Sequence, residues 1–189
     1  MSFLYTHLTK TPFGRIYHIL FILLCLAVTP LSHLNAQDKS ESLKAVFLYN
    51  LLNYITWPDD KDNITQKLCI LGENPFGNAL AHIKTKAKNR EHKITTNFIP
   101  LKVNTAIGPV DNCHMLYITA AGQKTFNANI KTFEENNILT VSDIKGFSKK
   151  GAIELKRAHN KIILIINKRN LEKLNLKASS KLLRIAKVI

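Results

Sequence analysis

Apolar residues fall in short blocks along this chain, and their spacing changes from block to block. From Leu43 to Ile55 they follow helical spacing. Ala45, Leu48, Leu52 and Ile55 make one stripe, and Phe47, Leu51 and Tyr54 make a second. Ser40 or Ser42 can start this helix, and Trp57-Pro58 ends it, because a residue before proline leaves the α region. A surface helix needs a single apolar stripe. The second stripe is either buried in the monomer or covered by something else.

Strands and helices alternate after that. Lys67 to Leu71 is a compact apolar run closed by Gly72, which predicts a central strand. Asn74-Pro75 should open a helix reaching about Lys88. Lys93 to Ile99 alternates apolar and polar, as an edge strand does. Cys113 to Thr119 reads as a central strand, Gln123 to Asn136 as a helix with Phe126, Ile130 and Phe133 on one side, and Ile138 to Val141 as another central strand. Then the rhythm breaks. Ala152 to Lys156 alternates, Ile162 to Ile166 does not, and the short link between them requires an antiparallel hairpin. Asn167 onward should be helical, with Leu174, Leu182, Leu183, Ile185 and Ala186 covering the last face. The expected fold is α/β: a Rossmann-like, mostly parallel sheet of about six strands with helices on both faces. The burial pattern predicts the strand order 2-1-3-4-6-5, the last pair being the hairpin.

The first 36 residues follow a different logic. Lys10 and Arg15 precede an apolar run of ten, Ile19 to Val28, and Pro30, Ser32 and Ala36 follow. Basic, apolar, then small is the pattern of a secretory signal, with a cut expected after Ala36. The alternative is an uncleaved N-terminal anchor, for which the run is short. Residues 37–189 then form a single domain. At 189 residues with 46% apolar content the chain is too rich in core-forming residues to be disordered, and no 20-residue apolar span is present.

The net charge is +14, and residues 37–189 keep +12 of it. A basic chain invites a nucleic-acid reading, but export removes that partner. What is left is an acidic partner or a weak attraction to an anionic membrane surface; alternatively, the lysines simply keep the surface soluble.

Little in the sequence suggests catalysis. Cys113-His114 resembles a nucleophile with its base, but neighbours on a strand point to opposite faces. His82, His92, His114 and His159 lack metal-ligand spacing. No G-x-S-x-G, P-loop or G-x-G-x-x-G is present. No metal or cofactor is expected. If the first and third strands are neighbours, Cys69 and Cys113 come within bonding distance; the alternative is two buried thiols. Ligands of open parallel sheets bind beyond the carboxyl ends of the strands. That edge would gather Gly72, Asn74, Thr119, Ser142, Asp143, Gly146 and Phe147, although Ser142 and Asp143 also suit a turn or a cap.

Six motifs in order carry a resemblance. They are Lys44 to Asn50 with Tyr54 and Trp57-Pro58; Cys69 to Gly72 with Asn74 to Gly77; Cys113 to Ile118; Ile138 to Asp143 with Gly146-Phe147; Ile166-Asn167; and Ser179 to Ala186. Together they resemble the YfiR-like family, across nearly all of 43–189. Ala152 departs from a glycine common there, and Lys168 and Asn170 from apolar residues. The resemblance implies an exported protein with a Rossmann-like sheet, a homodimer, and a structural disulfide falling on Cys69 and Cys113. It also implies repression of a membrane-bound diguanylate cyclase, or regulation of another sensor protein, through the part outside the cytoplasm. The expected function is therefore a periplasmic, non-catalytic regulator of cyclic-di-GMP signalling. Phe47, Leu51, Tyr54 and Trp57 are the expected partner or dimer surface. The rival is a periplasmic small-ligand binding protein using Gly72, Asn74, Ser142, Asp143 and Phe147.

Overall fold

The computed structural model describes residues 32–58, 65–86, 93–99, 113–159 and 161–189. The chain divides into two compact units, Met1–Gln37 and Asp38–Ile189. Most of the expected signal segment, residues 1–31, lies outside the described residues. Every strand among the described residues falls in the second unit.

Helix α1 (Ser32–Tyr54) passes into a two-residue strand, β1 (Ile55–Thr56). Strand β2 (Thr65–Leu71), helix α2 (Ala79–Lys86) and strand β3 (Lys93–Ile99) come next in the chain. After them stand β4 (Met115–Ile118), α3 (Gln123–Ala128), α4 (Ile130–Glu135) and β5 (Leu139–Ser142). A 3-10 turn (Phe147–Lys149) leads to the hairpin β6 (Ile153–Ala158) and β7 (Lys161–Ile166). The chain closes with α5 (Lys168–Lys173), β8 (Lys177–Ala178), α6 (Ser180–Ile185) and β9 (Lys187–Val188).

The main sheet has the order β3-β2-β4-β5-β6-β7-β9, parallel except for the β6–β7 hairpin. The mostly parallel α/β fold stands. The expected order of the hairpin does not: the alternating strand β6 lies inside against β5, and the apolar strand β7 lies outside it, flanked only by β9. Two details misled the pattern. Glu154 looks like a solvent-facing residue but is buried, because its carboxylate accepts from Gly146 N, Ser148 N and the Ser148 hydroxyl at 2.8–3.1 Å. And Ile163, inside the apolar run, is 40% exposed.

Helix bounds shift where side chains compete with backbone. Asn74 Oδ1 accepts from Phe76 N, and its amide donates to Gly77 O. This turn holds the chain out of the helix until Ala79. Asn129 donates to Thr125 O and interrupts the expected helix between α3 and α4. At the end of the chain, Asn167 and Ser179 cap separate short helices by accepting from Asn170 N and Leu182 N. Asn170 binds the carbonyls of Lys150 and Gly151, so its departure from an apolar residue serves the loop before β6. Ile185, expected to cover the last face, is 67% exposed.

The sheet separates two cores. One face carries Leu68, Ile70, Met115, Tyr117, Leu139, Val141, Ile153, Leu155, Leu164 and Ile166, packed with α1. The other carries Cys69, Leu71, Leu116 and Ile118 under Phe126, Phe133 and Phe147. Gly151 lets the Phe147 ring lie flat there, since a Cβ would come within 2.0 Å of it.

Cys69 and Cys113 are joined in a disulfide, with Cα atoms 5.9 Å apart and a sequence separation of 44. A loop of that size implies about 4 kcal/mol of stabilisation through the unfolded chain. Cys113→Ser should therefore lower unfolding stability by about 3–4 kcal/mol in denaturant titration, and wild type under reductant should match the variant. A change below about 1 kcal/mol would assign the two sulfurs a packing role only.

Candidate functional site

The residues expected to form ligand loops are engaged with one another. Ser142 Oγ is buried, donates to Ile118 O at 2.7 Å and accepts from Ile144 N. Gly72 has a φ of +111°, and a Cβ there would meet Thr119 Oγ1 at 2.0 Å. Thr119 Oγ1 itself donates to Leu71 O and accepts from Gly122 N. These contacts lie at the ends of β2 and β4, where the strand order reverses. Phe147 is buried against Phe126, with ring centroids 5.0 Å apart. Asn74 serves its own turn.

Asp143 belongs to a different constellation. Lys44, on α1 and only 6% exposed, places its ammonium 2.5 Å from Asp143 Oδ2 and 2.7 Å from Glu41 Oε1. The buried Tyr117 hydroxyl lies within reach of the Asp143 charge. Glu41 Oε2 is buried without a hydrogen-bond partner. The cluster spans α1, β4 and the end of β5. The sequence pattern alone did not single out Lys44. The signal was there: a single cation in an otherwise apolar helical stretch, three residues after a glutamate, which is about one helical turn.

The electrostatics describe a tether, not an acid or base. Burial works against the Lys44 charge, but the bonds to Asp143 and Glu41 outweigh it and hold its pKa above the ordinary value. Burial, then the Asp143 and Glu41 charges, pushes the Tyr117 hydroxyl far above its ordinary range. An acid–base catalyst works best with a pKa near the operating pH, and both groups are moved away from it. His114 is also engaged: its Nδ1 accepts from Lys67 N at 3.1 Å, its carbonyl accepts from Trp57 Nε1, and Cys113 beside it is in the disulfide.

The expected partner surface divides. Leu51 is 1% exposed and Trp57 7%, and both lie in the core beneath α1, so neither can be touched without opening the fold. Phe47 and Tyr54 are half-buried against the same core, and the Tyr54 ring lies under Lys181. The second apolar stripe of α1 is therefore largely spent inside the monomer. Leu43 and Val46 are the large apolar residues exposed on α1 among the described side chains.

Two predictions test these assignments. Lys44→Ala leaves two carboxylates facing each other and should cost about 3–4 kcal/mol in denaturant titration. Because the folded pKa of Lys44 is raised, its contribution is complete below the unfolded value near ~10.4 and lost as pH rises through the folded value. Wild type should thus lose stability above about pH 10, while the variant stays flatter. Glu154 has the opposite sign. Burial opposes its charge, but the Ser148 and Gly146 hydrogen bonds prevail and lower its pKa. Its contribution is complete above the unfolded value near ~4.3 and lost as pH falls through the folded one. Glu154→Gln should cost about 1–3 kcal/mol at neutral pH and flatten the acid limb below about pH 4. An unchanged acid limb would refute the assignment.

Comparison with known proteins adds the family. No curated protein matches the chain. No helix among the described residues is long and apolar enough to cross a membrane. The family model described as YfiR/HmsC-like matches residues 41–187, from the start of the Lys44 tether to the last strand. That match covers both cores, the disulfide and the hairpin, and the chain therefore belongs to the YfiR/HmsC-like family, whose members are periplasmic, non-catalytic regulators of diguanylate cyclase signalling.

Proposed function

We propose that residues 37–189, released by cleavage after Ala36, repress a membrane-bound diguanylate cyclase by binding its periplasmic sensory portion. The family match over 41–187 carries this reading. The carboxyl edge of the sheet supports it, because Ser142, Thr119 and Asp143 there each hold another part of the same chain. A small-ligand carrier would want those groups aimed into a cavity. Repression follows from preferential binding: the protein favours the inactive cyclase conformation, and a signal shifts the balance by weakening that preference. Homodimerisation is assigned to the exposed Leu43 and Val46 on α1, with Phe47 and Tyr54 at the margin, in place of Leu51 and Trp57.

Deleting the gene should raise cellular cyclic-di-GMP, and periplasmic expression of the chain should restore it. A form lacking residues 2–36 should accumulate in the cytosol and fail to restore it. Cyclic-di-GMP levels that ignore the deletion would refute the proposal.

A further inference from the structure

The second face of the sheet is covered unevenly. Register places Leu71, Ile118, Ser142, Glu154, Ile165 and Lys187 in one row across that face, and Lys156 opposite Ile163 beside it. Phe126, Phe133 and Phe147 cover the β2 and β4 end, and the 3-10 turn covers Glu154. Among the described residues the cover stops beyond Glu154. Ile163 is 40% exposed and Ile165 half-buried, and neither belongs to either core. Lys156, Lys161 and Lys187 are exposed around them.

Charge selects the occupant. Residues 155–189 carry ten Lys and Arg, all exposed, against a single acid, Glu172. The acid nearest the strip, Glu154, is spent on Ser148 and Gly146. A second copy would bring like charge to like charge. An acidic surface is complementary.

Shape narrows it further. Ile163 and Ile165 point to the same face about 7 Å apart, close to the roughly 6 Å between residues four apart on a helix. The isoleucines are shorter than the lysines around them and form the floor of the strip. A helix ridge reaches that floor, whereas a layer of lipid headgroups meets the lysine tips.

We propose that this strip, Ile163 and Ile165 framed by Lys156, Lys161 and Lys187, docks an acidic amphipathic helix of a protein partner where the described residues leave the sheet uncovered. The identification of that partner as the cyclase rests on the function proposed above.

The double variant Lys161→Glu/Lys187→Glu changes only exposed side chains and should keep the wild-type melting temperature. The first probe is a synthetic helical peptide with leucines four apart flanked by glutamates. It should shift the NMR signals of Ile163 and Ile165 in the full mature chain, bind the variant about tenfold more weakly, and release in about 1 M salt, where screening reaches about 3 Å. Equal binding of a lysine-flanked peptide, equal binding to the variant, or shifts caused by phosphatidylglycerol vesicles and not by the acidic peptide would overturn the strip as a helix dock. In cells, the variant should fail to lower cyclic-di-GMP. If deletion raises cyclic-di-GMP but the variant represses normally, the strip is not the cyclase contact and the proposed function stands. If deletion has no effect, the proposed function falls, and the peptide titration alone decides the strip.

Discussion

A polar group taken out of water must find a partner inside, and at the carboxyl edge of this sheet that requirement shapes the molecule. Lys44 enters an apolar layer because Asp143 and Glu41 meet it there, with Tyr117 buried within reach of the Asp143 charge. Through this cluster α1 from Glu41 onward is fixed against the first sheet face. Leu48, Leu51 and Leu52 then fall over Leu68, Ile70 and Met115 in one core. Ser142 repeats the device one strand along, joining β4 to the turn after β5. Glu154 repeats it again, holding the 3-10 turn over the start of the hairpin.

The same devices occupy the topological switch point. In an open α/β sheet the loops after the central strands diverge and leave room for a ligand. Here Gly72 permits Thr119 to sit directly against the chain, and the Thr119 hydroxyl returns to Leu71 O. The disulfide ties β2 to the segment entering β4 further down the same pair of strands. These two neighbouring strands are thus joined by a parallel ladder, a covalent bridge and a closed loop contact.

Much of this was legible in the sequence. Each parallel strand had an apolar run of the right length bounded by turn residues, and Cys69 and Cys113 lay where neighbouring strands would bring them together. Three things were not legible. The hairpin order depended on Glu154, whose carboxylate is buried by turn donors that only the fold supplies. The continuous apolar run Ile162–Ile166 read as central because hydropathy cannot distinguish two buried faces from one buried and one left open. The pairing of Ile55–Thr56 with Lys177–Ala178 joins two-residue strands far apart in the chain, too short to leave a periodicity. At the site, Asp143 was singled out for its place at a strand end, but the spacing did not single out its partner Lys44. Leu51 and Trp57 were assigned to a surface because two apolar stripes exceed what one helix–sheet contact usually needs. The core closes over α1 from both sides, with Leu171, Leu174, Leu176 and Leu182 joining it from the end of the chain.

Rigidity at the edge has a consequence for recognition. Holding a partner in one conformation requires a surface that does not yield to it, and ordering a mobile surface on binding costs free energy that preorganisation removes. The paired groups of the Lys44 cluster, the disulfide and the Glu154-anchored turn each immobilise a segment before any partner arrives. They also take the titratable side chains they use away from neutral pH, with Lys44 and Tyr117 raised and Glu154 lowered. A frame built this way holds its charge state and its shape across the physiological range. Selectivity is then set by the surface the frame presents, which here is strongly basic towards the end of the chain and interrupted by isoleucines where the helix layer ends.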